Sequence, residues 1–175
     1  MIQQNNNDLP DTQLIKAIIN NDHEAFKNLY YKYFPMLIRF AGYRLYSFET
    51  ARDLVQEIFL RVWIRREKLN PDKSIKAYLY KSLNNLIINY SRLSSAKSVS
   101  IEDLKNLKKI NDADIRIDIK TAIQKLPEKL KIVFILSRIE GYKYTEIAEI
   151  CNISVKAVEK RMSKAFNILR KVFKE

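Results

Sequence analysis

With 175 residues, 47% of them hydrophobic, the chain is long enough for one ordinary domain or two small ones and too apolar to be disordered. Lys and Arg number 32 against 20 Asp and Glu, a formal net charge of +12, which points to an anionic partner: nucleic acid or an acidic membrane surface. Two glycines, one histidine and one cysteine exclude a glycine-rich phosphate loop, a His/Cys metal cluster and an intrachain disulfide, and no nucleophile–base pair stands out, so neither catalysis nor a cofactor is expected.

Residues 1–10 carry the polar run QQNNND and are expected to fray. Asp11 stands where it would cap a short helix, TQLIKAIIN, with Leu14, Ile15, Ile18 and Ile19 inward. Asp22 would cap a second helix, whose apolar residues Phe26, Leu29, Tyr30 and Tyr33 recur at helical spacing. Pro35 predicts a kink or break before the pattern resumes through Met36, Leu37, Phe40 and Leu45. This aromatic stripe reads as core, because a ligand box would need polar groups that it lacks. Ser47 starts the next helix, where Leu54, Val55, Ile58, Val62 and Trp63 are apolar and Arg52, Asp53, Gln56, Glu57 and Arg61 polar. The polar side is either a solvated face or a protein-binding surface. Residues 65–74, RREKLNPDKS, form a loop broken at Pro71, and Asp72 or Ser74 caps the helix that follows. That helix sets Lys76, Tyr80, Lys81, Asn84, Asn85, Asn89 and Arg92 among Tyr78, Leu79, Leu83, Leu86, Ile87 and Tyr90. Basic, amide and aromatic groups together can hold phosphates and stack on unpaired bases; an ordinary amphipathic helix accounts for the pattern equally well.

From Ser94 to Asn111 the period fails, and a linker with one short helical turn is expected. Periodicity returns at Ile115, Ile119 and Ile123; Pro127 then opens a helix that Gly141 ends. Residues 144–164, YTEIAEICNISVKAVEKRMSK, have the pattern of a helix-turn-helix. Thr145 would cap the first helix, Asn152 tolerates a left-handed turn, and Ser154 would cap the second. Val155, Val158, Met162 and Ala165 line one side of that second helix, opposite Lys156, Glu159, Lys160, Arg161 and Lys164. Such a helix is shaped for a DNA major groove, although a two-helix hairpin with a solvated charged face has the same period. The charge supports DNA: residues 1–25 hold one basic side chain, while residues 151–175 hold seven Lys and Arg. No stretch has the alternation of a strand, none approaches the ~18 apolar residues of a membrane span, and no signal-peptide pattern opens the chain. The lone Cys151 suits a reducing compartment, so the expected location is cytoplasmic, without stable membrane insertion.

In combination, DHEAFKNLYYKYFPML, ARDLVQEIFLRVW, IKAYLYKSLNNLIINY and LPEKLKIVFILSRIEGYKYTEIAEICNISVKAVEKRMSKA resemble a bacterial RNA polymerase sigma factor of the small extracytoplasmic-function (ECF) type. The resemblance covers most of residues 22–93 and 113–173; Cys151–Asn152, where relatives often carry Leu–Gly, and Glu159–Lys160 depart from the usual pattern. It implies an all-α chain of two small helical domains joined by a flexible linker, the C-terminal one a helix-turn-helix. Residues 1–93 would be region 2, 94–111 the linker and 112–175 region 4. Implied partners are core RNA polymerase through its clamp helices and flap, promoter DNA, and a cognate anti-sigma factor. Asp53, Gln56, Glu57, Arg61 and Trp63 would meet the clamp helices. Asn70, Lys73, Ser74, Lys76, Lys81, Asn84, Asn85, Asn89 and Arg92 would read and open the minus-10 element. Ser154, Val155, Lys156, Glu159, Lys160, Arg161 and Lys164 would read the minus-35 element. In a closed form the basic helix of residues 154–171 would lie on the first domain and hide its polymerase surface. A dimeric helix-turn-helix activator and a basic helical protein lying on anionic membranes are the competing readings; residues 22–93 look like neither a dimerisation nor an effector domain, and the second lacks a strongly hydrophobic helix face left uncovered.

Overall fold

The structure, a computed structural model, describes residues 9–45, 47–95 and 114–172; most of the expected linker, from residue 96 on, lies outside the described residues. Among them all regular structure is helical: α1 (Asp11–Ile19), α2 (His23–Gly42), α3 (Phe48–Ile64), a 3-10 turn (Arg66–Lys68), α4 (Ile75–Ser95), α5 (Asp114–Gln124), α6 (Glu128–Phe134) with a π-helical turn (Ile135–Ile139), α7 (Tyr144–Cys151) and α8 (Val155–Val172).

Helix starts follow the side chains able to cap them. The Asp22 carboxylate accepts from the backbone N–H groups of Glu24 and Ala25 at 2.9 and 3.0 Å. Ser47 Oγ accepts from Thr50 N–H at 3.2 Å and Ser74 Oγ from Ala77 N–H at 3.1 Å. Two expected caps are corrected. Asp11 is the first residue of α1, behind Pro10, and its carboxylate turns to Lys32 Nζ at 2.8 Å and to the Tyr33 hydroxyl. Tyr144 starts α7 with Lys143 as N-cap, so Thr145 is already inside the helix; the Glu146 carboxylate reaches back to Lys143 N–H at 2.9 Å. Pro35 breaks nothing: α2 runs through it for 20 residues. It is exposed, and so is Tyr31, whose carbonyl loses its helical donor to the proline, at 59%, so the chain around that carbonyl is open to solvent rather than buried.

In the first lobe α2 packs on α1, α3 and α4. Leu29, Leu37, Phe40, Val55, Ile58, Val62, Leu79 and Leu83 have no exposed surface, which is the burial their helical spacing predicts. Phe26, Tyr30, Phe34, Phe59 and Trp63 form an aromatic seam, Tyr30 on Phe34 at 4.7 Å and Phe26 on Trp63 at 5.1 Å between centroids, so the stripe is core as expected. In the second lobe five consecutive apolar residues, Ile132 to Leu136, are buried, next to a buried Lys131. A helix apolar all round must be covered on all sides; α8 covers α6 along its length, while α2 and α7 close on the π-helical turn. Gly141 ends this segment at φ +75°, a value that only glycine adopts without strain.

The two lobes share one continuous core. The seam is made by the Glu140–Tyr142 turn and α7 against α2 and α4, not by the basic helix α8 that the sequence led us to place there. Arg39 donates two hydrogen bonds, 2.8 and 2.7 Å, to the Glu140 carboxylate, whose side chain is fully buried. The Tyr142 hydroxyl donates to Tyr80 Oη at 3.0 Å, and Tyr80 donates on to Glu140 at 3.3 Å. Arg44, buried at the end of α2, bridges Asn84 of α4 at 2.5 Å and Glu128 of α6 at 2.8 Å. Burial weakens the hold of the Arg44 guanidinium on its proton, and the Glu128 carboxylate opposes that effect.

Candidate functional site

Three faces carry the candidate residues. The first is the outer side of α3. Its inward positions, Ala51, Val55, Ile58 and Val62, leave Asp53, Gln56, Leu60, Arg61 and Ile64 exposed. Asp53, Leu60 and Ile64 are spaced i, i+7, i+11 and form one row along the helix. Glu57 and Arg61, one turn apart, pair with each other. Trp63 sits at the margin of this face, half-buried, against His23 at 4.6 Å and Phe26, with the Arg66 guanidinium 4.7 Å from its ring centre. Leu60 and Ile64, at 57% and 64% exposed, were missed by sequence reasoning. Their signal was there to be read: both are apolar residues on the polar side of the helical wheel, beside an acidic residue.

The second face is the loop before α4 and the helix itself. Asn70 Oδ1 accepts from Asp72 N–H at 2.8 Å and Ser74 caps α4, so both side chains shape the loop. Beside it is a cavity of about 470 Å³, lined among others by Leu69, Asp72, Lys73, Tyr78, Lys81 and Glu149. Burial of Ile75, Leu79, Leu83 and Ile87 turns Lys81, Asn85, Asn89 and Arg92 outward along one side, with Tyr78 and Ile88 between them. The expected set is thereby split. Lys76 and Asn84 point to the second lobe: Lys76 Nζ lies 2.5 Å from Glu146 and 4.6 Å from the centre of the Tyr142 ring, while Asn84 holds Arg44. The bond from Lys76 and that from the Lys143 N–H hold the Glu146 carboxyl below the usual glutamate range.

The third face is the helix-turn-helix. Cys151 closes α7, Asn152 takes the left-handed turn at φ 52°, and Ser154 Oγ accepts from Ala157 N–H at 3.2 Å to start α8. Val158, Met162, Ala165 and Leu169 anchor α8 on the core. Lys156, Glu159, Lys160 and Lys164 stand exposed away from that side, and Arg161 is half-buried. Ser154 and Val155 are exposed at the start of the helix, Val155 on the core side against expectation because it is the first helical residue. Burial pushes the Cys151 thiol up to about 11, against the charges of Arg161 and Arg44, so it packs as a neutral thiol. A row of cations beside exposed helix N-terminal residues can hold duplex phosphates and present side chains to base edges. Among the described residues no group of three His, Cys, Asp or Glu could hold a metal ion, and no helix is long and apolar enough to cross a membrane.

Two family matches fall on these faces. Residues 29–96 match sigma-70 region 2 and residues 116–169 match sigma-70 region 4. Among curated relatives, the chain is 26% identical to the ECF RNA polymerase sigma factor SigW of Bacillus subtilis (strain 168), over 92% of this chain and 95% of that one. It is 24% identical to the ECF RNA polymerase sigma-E factor of Escherichia coli (strain K12), over 90% and 91%. Two solved structures have the same fold. CnrH, in complex with the cytosolic domain of CnrY, superposes with a TM-score of 0.72 over 94% of this chain and 97% of that one at 22% identity. The sigma factor RpoE of Bartonella quintana, in complex with the anti-sigma factor NepR, gives 0.69 over 86% and 98% at 23% identity.

Proposed function

The chain belongs to the sigma-70 family, in its ECF branch, and from that premise we propose how its three faces divide the work of a factor that binds core RNA polymerase and directs promoter-specific transcription initiation. The chain does no chemistry of its own; it lends promoter specificity to the polymerase. The α3 face is the polymerase surface: Asp53, Gln56 and Glu57 supply acidic and amide groups, Arg61 a cation and Trp63 an edge, around the apolar row of Leu60 and Ile64. That mixture suits a docking surface with an apolar centre and a polar rim. The Asn70–Ser74 loop and α4 take the minus-10 element, Lys81, Asn85, Asn89 and Arg92 on its strand, with Lys73, Lys76 and Asn84 completing the set. Opening DNA there costs a few kcal/mol per unstacked base, and stacking returns about 1–3 kcal/mol per base, which is the role suited to Tyr78. Helix α8 takes the minus-35 duplex, through Ser154, Val155, Lys156, Glu159, Lys160, Arg161 and Lys164. An anti-sigma factor is the natural regulator of this chain, since the B. quintana sigma factor of the same fold is found in complex with one. The polymerase places the working protein in the cytoplasm.

The single observation that carries this division is the presence, in one chain, of an outward basic recognition helix and a separate face that sets Asp53, Gln56 and a Glu57–Arg61 pair around exposed Leu60 and Ile64. Mixing the protein with core polymerase and transcribing a promoter library tests it. We expect a retained complex and transcripts from a defined subset of promoters; no complex, or transcription without promoter preference, overturns it.

A further inference from the structure

We infer that Arg66 is a positioning residue of the polymerase surface: from the 3-10 turn behind α3 it fixes the Trp63 indole at the margin of the docking face. This rests on the sigma reading above, which puts Trp63 at that edge. Three contacts meet on the one guanidinium. Its Nη1 donates to the Trp63 carbonyl at 3.0 Å, in the last turn of α3, where a cation meets the negative end of the helix dipole. Its Nε donates to Asn21 Oδ1 at 2.5 Å, across 45 residues of chain. Its carbon stands 4.7 Å from the centre of the Trp63 ring, which His23 and Phe26 meet at 4.6 and 5.1 Å. The indole is thus held by the start of α2 and by a cation tethered to the turn before it. The far end of that tether is firm. The Asn21 N–H donates to the Ile18 carbonyl at 3.0 Å and the Asp22 N–H to that of Ala17 at 3.1 Å, which closes α1 in the Schellman pattern. Asn21 stands there at a left-handed φ of 66°. Glycine meets that backbone demand without strain, so what the asparagine side chain adds is an acceptor for Arg66. Two N–H groups of Arg66 are engaged within the chain, and its contribution to docking is therefore geometry rather than free charge. A half-buried ring that must be ordered on binding weakens association, and a ring already held avoids that loss.

Substitutions that keep the charge or the backbone separate this role from a direct contact. Arg66→Lys keeps the cation and loses the planar fork that reaches three places at once. Asn21→Gly keeps the left-handed turn and removes the acceptor, whereas Asn21→Asp keeps both. Trp63 is the only tryptophan of the chain, so fluorotryptophan labels that ring alone and its fluorine resonance reports the ring's setting. Each full-length protein is measured free by fluorine NMR and then titrated against core RNA polymerase. In Arg66→Lys and Asn21→Gly the resonance should move or broaden. Each should bind polymerase about fivefold more weakly, short of the roughly 30-fold loss on truncating a central contact residue. Asn21→Asp should match the unaltered protein in both measurements. A direct electrostatic contact of Arg66 predicts instead that Arg66→Lys binds normally and that Asn21→Gly changes nothing. An unmoved resonance or an unchanged affinity in either variant overturns the inference, as does an Asn21→Asp protein that behaves like Asn21→Gly. Should Arg66→Lys lose its helical signal, Asn21→Gly, at an exposed position, decides alone. No binding of the unaltered protein to polymerase overturns both this role and the sigma reading; equal binding by all variants overturns the role of Arg66 only.

Discussion

Asn152 is the pivot of the recognition motif at the scale of single residues, since its left-handed φ of 52° turns α7 into α8. A residue with Cβ and no local hydrogen bond pays about 1–2 kcal/mol in that conformation, and glycine pays nothing for it. Asn152→Ala should therefore lower the unfolding free energy by about 1 kcal/mol and Asn152→Gly should leave it nearly unchanged, as read by urea denaturation. Lys156 and Arg161 differ in setting: Lys156 is exposed and Arg161 half-buried beside Cys151. Lys156→Ala should weaken binding to all duplexes alike and reduce the salt slope by about one, the mark of a lost phosphate contact. Arg161→Ala should cost about 1–3 kcal/mol and relax selectivity at one base pair. A salt titration of promoter binding separates the two outcomes.

Among the elements, α3 shows most clearly how one helix serves both core and partner. Its inner side is fully buried; its outer side spends two large apolar residues, Leu60 and Ile64, on solvent. Replacing exposed side chains rarely moves stability by more than about 0.5 kcal/mol, whereas truncating a residue central to an interface costs about 2 kcal/mol or more. Asp53→Ala with Gln56→Ala, and separately Leu60→Ala with Ile64→Ala, should each abolish retention by core polymerase while the thermal midpoint stays within a few degrees. Helix α3 was legible in advance down to its cap, because Ser47 and a clean apolar period specify it locally. The continuity of α2 through Pro35 was not, since propensity registers the lost hydrogen bond and not the packed inner side that holds the helix together on both sides of it. The π-helical turn at Ile135–Ile139 was equally hidden: every residue from Ile132 to Leu136 is apolar, and without a polar side the period cannot show where the winding changes.

For the whole molecule, the decisive feature is the seam between the lobes. We expect limited proteolysis to cut first between Ser95 and Asn111, leaving two fragments that remain associated at low salt; a first cut within residues 22–90 would show a single domain instead. The seam also has a pH signature. Glu146 and Glu128 are both held below the usual 4.5 of a glutamate. For Glu146 the Lys76 bond is the main cause; for Glu128, burial pushes the other way and is outweighed by the bonds and charges of Lys131 and Arg44. The part of each depression that a cross-lobe partner causes, Lys76 for Glu146 and Arg44 for Glu128, favours the closed form at pH values above 4.5 and is lost as pH falls through the lower closed-form values. The parts due to Lys131 and Lys143 stay within the second lobe. Small-angle scattering should therefore give a constant radius of gyration from pH 7 to 5 and an expanding one below 4.5.

The helices, most of their caps, the left-handed turn at Asn152 and the outward cations of α8 were settled by the order of residues alone. Each depends on partners within about one helical turn, and such partners are written side by side in the chain. Whether Trp63 belonged to core or surface, which apolar residues α3 leaves exposed, and that Lys76 and Asn84 face the second lobe were decided only by the tertiary structure. The pairs responsible, Lys76 with Glu146, Arg39 with Glu140 and Arg44 with Glu128, lie 70, 101 and 84 residues apart. No local period relates residues so distant; their meeting is fixed by how two amphipathic lobes cover each other's remaining apolar surface.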